Sequence, residues 1–462
     1  KDSITVELVD NSFADNDYAV FVKNPNIDLR NSGNTTDFTN RVNGYRITGR
    51  MTTPQTWRTG DLPFIVSSRL ELGETAAVLV LEPGLTVKME QGALIEAVRG
   101  LLRSGAEGGA RVLITSVADD ACSAEIDSGC DTNGDGSLRQ PAPGDWGAVV
   151  IRGSGGFIHR SVLRYGGTSS SNSLLDLQST ENTVVQDSEF WYSSNAGIRV
   201  FQVNSTLTRN MLAQNTGAGI KLVAGSAAVV VTLDENEFNG NGGCAVDMEA
   251  NVELVLEGDN VASDNARNGL CVSGDSRVSR TWKKGSLPYL VTGDVSVVGE
   301  SRLTIEPGAV VKFIGQAGIS VSDRSSLSAV GTAGDPIIFT SLYDDLNGGE
   351  GNDTVWGNAG NDWFVSSWGD DDFVGVIPFL EELREKSYKK YARFFTRRYL
   401  TFRMCRKCRG GRLREEAYFV KLGGKTVREA GAMTPGEAID YIAGLNLDAR
   451  EKEIAGDILL EL

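Results

Sequence analysis

A phrase that occurs twice constrains this chain more than any other feature. The run LVLEPGLTVKM, Leu79 to Met89, returns as LTIEPGAVVKF, Leu303 to Phe313. Both copies lie inside a longer internal match. Trp57 is answered by Trp282, Leu62-Pro63 by Leu287-Pro288, Pro83 by Pro307, and Asp119-Asp120 by Asp344-Asp345. The offset is 224 or 225 throughout, and it reaches back to Phe13 with Phe238 and Asn43-Gly44 with Asn268-Gly269. A chain built on such a period folds as repeated modules. The expected organisation is the end of one module over 1–56, a complete one over 57–281 and the start of another over 282–347.

A shorter period runs inside the module. Turn-to-strand signals recur as Asn195–Ile198, Gly217–Ile220, Gly243–Val246 and Asn268–Leu270, and their glycines 197, 219, 243 and 269 are 22, 24 and 26 apart. Between them lie short alternating runs such as Ile198-Arg-Val-Phe, too short for helices and bounded by Asn, Gly and Ser. This is the pattern of strand and turn. A turn of roughly 20–30 residues repeated many times marks a solenoid whose coils bury their core against one another.

The fold class that follows is mainly β, a parallel β-helix. Phe190, Leu212, Phe238 and Val261 are expected to form an inward ladder, and Asn195, Asn215, Asn241 and Asn265 to sit at corners. Asn suits such corners because its amide bonds the turn backbone and tolerates the left-handed conformation. A sandwich or propeller would not require near-constant spacing with the same residue types at each corner.

LTIEPGAVVKF, PIIFTS (Pro336–Ser341), DTNGDGS (Asp131–Ser137) and PAPGDWGAVVI (Pro141–Ile151) resemble right-handed parallel β-helix proteins of the pectate-lyase-like superfamily, and more narrowly the repetitive secreted or surface proteins of bacteria. The resemblance covers about residues 1–345. It implies a secreted or cell-surface solenoid, with polysaccharide or a cell-surface molecule as the expected partner. It does not imply one activity, because lyases, hydrolases and non-catalytic adhesins share this fold.

Asp131, Asn133 and Asp135 place oxygen ligands at alternate positions, with glycines where a loop must bend. That is the front half of a calcium loop, without the later Glu of an EF-hand; the other reading is a polar surface turn. Cys122 and Cys130 bracket the start of this segment and would clip it in an oxidising compartment. Cys244 and Cys271 are 27 apart, about one coil, and would stack in the wall either bonded or as buried thiols.

Catalysis is the lesser expectation. The single histidine, His159, reads as a satisfied wall residue. Polysaccharide lyases of this fold use Arg or Lys as base, and Arg152, Arg160, Arg164 and Arg199 are candidates that no acidic cluster distinguishes in the sequence. Asp119-Asp120 recurs in the next module, which argues for a structural turn.

After Asp345 a different repeat begins. Gly348–Trp356, Gly357–Val365 and Ser366–Val374 are three consecutive nonapeptides of the form G-G-x-G-x-D-x-U-x, the third without its leading glycines. Residues 348–374 resemble the calcium-binding repeats of RTX proteins. The resemblance implies calcium held by Asp353, Asp362 and Asp371 and by backbone carbonyls, with Val355, Phe364 and Phe373 inward.

Residues 375–462 change character again. Net charge is −16 overall, yet 381–462 hold 18 Lys+Arg against 13 Asp+Glu, or +5, which leaves −21 on the rest. A split of this kind points to two regions with different partners. Helices are expected at Phe379–Phe402, Pro435–Gly444 and Ala449–Leu460 in a smaller α-rich (α+β) domain, with Thr434-Pro-Gly-Glu as a capping box. Cys405-Arg-Lys-Cys408 is half of a tetrahedral zinc site. FVGVIPFLEEL, CRKCRGGRLREEA, VKLGGKTVREAGAMTPGEAIDYIAGL and EKEIAGDILLEL resemble consecutive segments of UvrA, the DNA-damage-sensing ATPase of nucleotide excision repair, from about Phe373 to Leu462. The resemblance implies zinc at Cys405 and Cys408, with its other ligands elsewhere in the family's full chain, and a cytoplasmic setting. Gly424-Lys425-Thr426 matches the end of a P-loop, but Phe419 stands where its first glycine belongs, so this segment is not an ATPase by itself. The basic run Arg384–Arg414 carries aromatics among its charges; Arg397, Arg398, Arg406, Lys407 and Arg409 are its candidate DNA contacts, against the reading of a solvated helix face.

A secreted β-helix and a cytoplasmic repair segment do not form one coherent protein. The chain therefore reads as a composite, a fusion or a recombined or misassembled gene. No long apolar run is present that would span a membrane. The chain has no initiator Met and opens within a module, and a fragment or processed chain is expected.

Overall fold

In the computed structural model the residues described are 4–342, apart from 38, 154, 169–172, 179–182 and 226–227, and 421–452, apart from 432, with 455. They belong to two compact units, the first carrying 4–342 and the second the remainder.

The first unit is a parallel β-solenoid of about 14 turns. Each coil supplies up to three strands, and each strand pairs in parallel with its equivalent on the next coil. One wall runs through Thr86–Met89, Val112–Ser116, Ser161–Arg164, Glu189–Trp191, Met211–Ala213 and Glu237–Asn239. A second runs through Leu94–Ala97, Val149–Ile151, Leu175–Leu177, Ile198–Phe201, Ile220–Val223 and Cys244–Glu249. A third is the eight-stranded sheet from Gln55–Trp57 to Val252–Glu257. Strands of three or four residues suffice because the core is closed by stacking along the axis, not by strand length.

The inward ladder is as expected over Phe190, Leu212 and Phe238, each fully buried. Its next member is Ala262, not Val261: Ala262 pairs with Phe238, and Val261 is 53% exposed. A strand alternates faces with period two, so a shift of one residue turns a side chain outward.

The corners carry two asparagine ladders. Asn215 donates from its backbone N and its Nδ2 to Asn241 Oδ1 (3.1 and 2.9 Å), and Asn241 does the same to Asn265 (3.0 and 2.7 Å). Each Nδ2 also reaches back to a carbonyl, Phe190 O from Asn215 and Leu212 O from Asn241. Asn210, Asn236 and Asn260 repeat the pattern at the other corner. These amides are buried yet bonded at both ends, which is what makes burial tolerable. Two expectations change here. The ladder position before Asn215 is Ser193, whose N–H donates to Asn215 Oδ1 at 2.9 Å, and Asn195 lies two residues beyond it. Nor are the asparagines themselves left-handed: the residue before each is, at Gln214 (φ 55), Gly240 (φ 64) and Asp264 (φ 58). Of the spaced glycines, Gly219 is held by close approach, since a Cβ there would lie 2.6 Å from the Phe238 ring and 2.7 Å from Ala245 O.

The sequence duplication is a structural one. Trp57 stacks on Phe64 at 4.5 Å and Trp282 on Tyr289 at 4.8 Å, both at 7°. The Glu82 and Glu306 amides donate to the carbonyls of Trp57 and Trp282 at 3.1 and 2.9 Å, and Gly84 and Gly308 turn with φ of 80 and 78. The repeated EPG is thus the turn that closes each copy of the same coil.

The second unit contains an antiparallel hairpin, Lys421–Leu422 with Lys425–Thr426, and helices Val427–Gly431 and Pro435–Ala443. The Thr434 capping box is formed with Glu437, and Gly444 caps the other end. Thr426 with Glu429 and Asp448 with Glu451 make the same reciprocal bonds, the latter opening a helical turn over 449–452. Lys425-Thr426 lies on a strand. The helix expected over Phe379–Phe402 lies outside the described residues.

Candidate functional site

Residues 117–145 leave the first wall and return at the second, forming a strap over its outer face. Lys88, fully buried on that face, holds the strap by donating from Nζ to the carbonyls of Asp119 and Ala121 (2.7 Å to the latter). Thr86 Oγ1 donates to Cys122 O at 2.8 Å, and Arg164 grips the Asp119 carboxylate with Nε and Nη2 at 2.7 and 3.3 Å. Burial pushes the Lys88 ammonium down to about 8, with the Asp119 charge opposing the shift and Arg164 adding to it. Cys122 and Cys130 are disulfide-bonded, with Cα atoms 5.0 Å apart, and a cavity of about 60 Å³ lies between the bond, Lys88 and Pro63. Asp119 is therefore a structural anchor, as its recurrence suggested; Asp344 and Asp345 lie outside the described residues.

The DTNGDGS loop is part of this strap. Asp131 accepts from the Asp135 and Gly136 amides at 3.1 and 2.8 Å, Asp135 from those of Leu138 and Arg139 at 3.1 and 3.3 Å. Asn133 Nδ2 donates to Asp135 Oδ2 at 2.8 Å. The three side chains share one loop, and they bond its own backbone in the manner of Asx turns. Among the described residues no group of three or more His, Cys, Asp and Glu is arranged to hold a metal ion.

The outer face of the second wall carries a row of charges, Arg50, Glu71, Glu96, Asp176, Arg199, Lys221 and Asp247, interrupted between Glu96 and Asp176 by Val150. Sequence reading missed its acidic members as a set, because their spacing follows the irregular coil length. Glu96, 8% exposed, takes Arg69 at 2.6 Å and Arg152 at 2.7 Å. Asp176, fully buried, takes Arg199 at 3.1 Å; burial pushes its carboxyl above the usual range while Arg199 pulls it down. The candidate arginines are all engaged: Arg199 within this row, Arg152 on its Glu96, Arg164 on Asp119, and Arg160 donating to Gly109 O at 2.6 Å. His159 is buried, as expected of a wall residue, with Nε2 2.8 Å from Asp187 Oδ2. Burial acts to raise the Asp187 carboxyl, and hydrogen bonds from Arg209 and His159 outweigh it and bring it below the usual range.

Cys244 and Cys271 form the second disulfide, joining neighbouring coils with Cα atoms 6.1 Å apart. Asp353, Asp362, Asp371, Cys405, Cys408, Arg397, Arg398, Arg406, Lys407 and Arg409 lie outside the described residues.

Comparison with known proteins matches residues 117–279 to the family described as right handed beta helix region. The solenoid is a β-helix. Residues 344–373 match the RTX calcium-binding nonapeptide repeat, which implies calcium binding, and the β-helix and these repeats together suggest an extracellular protein. Similar curated proteins include UvrABC system protein A of Lactococcus lactis subsp. lactis (strain IL1403) and of Pseudomonas aeruginosa (strain PAO1), 38% and 39% identical over 90 residues. That of Methanothermobacter thermautotrophicus is 32% identical over 90 residues. Each match takes 20% of this chain and 9–10% of the relative, so the chain spans about a tenth of the length of the curated relatives it matches. No solved structure matches. Among the described residues no helix is long and apolar enough to cross a membrane.

Proposed function

We propose that this chain acts as a non-catalytic, secreted or cell-surface β-helix of the adhesin or stalk type, with calcium bound at Asp353, Asp362 and Asp371. The observation that carries this reading is the engagement of every candidate arginine, above all Arg152 on Glu96 and Arg199 on buried Asp176. A lyase base needs a side chain poised toward solvent and substrate; these guanidiniums tie one coil to the next. Two disulfides accord with an oxidising compartment. Asp131, Asn133 and Asp135 form a second calcium site in this reading once the loop turns its carboxylates outward. Assay of the purified chain for unsaturated products from polygalacturonate and alginate, with calcium, tests it: no product is expected, and calcium-dependent product that is lost in Arg199→Ala contradicts it.

A second reading applies to the UvrA-like segment alone. It rests on the 90-residue match and gives Cys405 and Cys408 to zinc and Arg397, Arg398, Arg406, Lys407 and Arg409 to DNA. We propose that the segment takes no part in the β-helix function and that the chain is a composite. Zinc analysis of the purified chain, with a gel-shift series against salt, checks the point; stoichiometric zinc with salt-sensitive DNA binding would give the segment a role of its own.

A further inference from the structure

The two disulfides meet solvent differently. Cys244 and Cys271, 6% and 1% exposed, pack with buried Leu290 and with Leu342. Cys122 and Cys130 are half-buried, at the base of a loop whose tip, Glu125 to Gly129, is exposed at every residue. Both also line the cavity of about 60 Å³ that Lys88 shares. A disulfide is broken by a thiolate that reaches one of its sulfurs, so access decides which bond yields first.

The accessible bond joins two anchorages of the strap. On its Cys122 side, Thr86 Oγ1 holds Cys122 O and Lys88 Nζ holds Ala121 O. On its Cys130 side, Asn43 donates from its backbone N to Thr132 O at 2.8 Å and from Nδ2 to Asp131 O at 3.1 Å. Asn43 and Thr132 are both buried by this contact. The loop between the anchorages bonds within the strap, as in Cys122 N to Ile126 O at 2.8 Å and Cys130 N to Asp120 O at 2.9 Å. Its Asp127 reaches Arg164 at 3.1 Å from an exposed position. Closing the strap has a cost, because it buries the Lys88 ammonium, which burial pushes down to about 8. A covalent tie across eight residues offsets that cost by limiting how far the anchorages part in the open state.

We propose that Cys122–Cys130 is a redox latch on the strap, opened by a dithiol while Cys244–Cys271 and the coil stack stay closed. One thiolate of the dithiol attacks a sulfur of the pair and displaces the other cysteine, which takes up a proton. The second thiolate of the dithiol then resolves the mixed disulfide. Both electrons come from the dithiol, which leaves as its disulfide, and Cys122 and Cys130 remain as thiols. The strap then lifts, and Lys88 and Asn43 face water. The proposal concerns the strap alone and does not rest on what the solenoid binds.

The test is stepwise reduction of the native full chain with dithiothreitol, quenched with iodoacetamide and mapped by peptide mass. Hydrogen exchange at the Asn43 amide and acetylation of Lys88 by acetic anhydride report on the strap, and circular dichroism on the coils. Cys122 and Cys130 should be alkylated at least tenfold faster than Cys244 and Cys271. Once they are reduced, Asn43 exchange and Lys88 acetylation should each rise at least tenfold, with the β-sheet signal retained. The double variant Cys122→Ser/Cys130→Ser should show the same rise without reductant. Alkylation of Cys244 and Cys271 first, or of all four at one rate, overturns the proposal. So does protection of Asn43 and Lys88 that survives reduction or the double variant, and so does loss of the sheet signal when the first bond opens.

Discussion

At the scale of single residues, the asparagine ladders and Lys88 set the terms of stability. Asn241 is buried and bonds in both directions, donating to Asn265 Oδ1 and Leu212 O and accepting from Asn215. Replacing it with Ala strands the amide of Asn215 and one carbonyl, and should cost about 1–3 kcal/mol in denaturant unfolding of the solenoid. Lys88 gives a pH signature. Its ammonium titrates at about 8 in the folded protein and near 10.5 when unfolded. Between those values the unfolded state binds more protons, so stability from this group rises as pH climbs from about 8 to 10.5 and is penalised below. Denaturation midpoints at pH 7.5 and 10 should show that rise, and Lys88→Met should remove it. An unchanged slope in the variant would mean that the buried ammonium is not its source. The residue was legible in hindsight: it is the K of the repeated TVKM and VVKF, and Lys312 stands at the second copy.

At the scale of elements, the coils were plain in the sequence and the connections between them were not. Strand and turn alternate with a local period, so the Gly197-to-Gly269 spacing and the Phe190, Leu212, Phe238 ladder could be read without a structure. Ala262 was missed in favour of Val261 because the ladder depends on register, and one residue of slack in a turn reverses the face. The charge row on the second wall was invisible for a related reason. Glu96 meets Arg69 one ordinary coil away, but Arg152 only across the long strap, a separation that no fixed period describes. Tyr165 and Tyr192, with φ of 68 and 56, likewise sit where sequence rules expect Asn or Gly. The two disulfides act on different elements. Cys122–Cys130 closes a short loop within the strap, whereas Cys244–Cys271 joins coils across 27 residues. Loop-closure entropy makes the second the larger contributor, about 3–4 kcal/mol, and the first smaller. Thermal unfolding of Cys244→Ala/Cys271→Ala and of Cys122→Ala/Cys130→Ala should rank in that order; equal losses would place the strap in the main cooperative unit.

For the whole molecule, the account divides function by region. The β-helix supplies a surface whose outer charges pair along the second wall. The RTX repeats supply calcium, and the charge of −21 outside residues 381–462 favours cation uptake there over contact with nucleic acid. The UvrA-like residues 381–462 carry the opposite sign, +5. The most direct test of this division is calorimetric titration of the unreduced full chain with calcium, beside the variant Asp353→Asn, Asp362→Asn, Asp371→Asn. The account predicts binding in the parent chain, most of it lost in the triple variant, with the β-sheet circular dichroism of the solenoid retained in both. Absence of calcium binding in the parent chain, or binding undiminished in the variant, would contradict it.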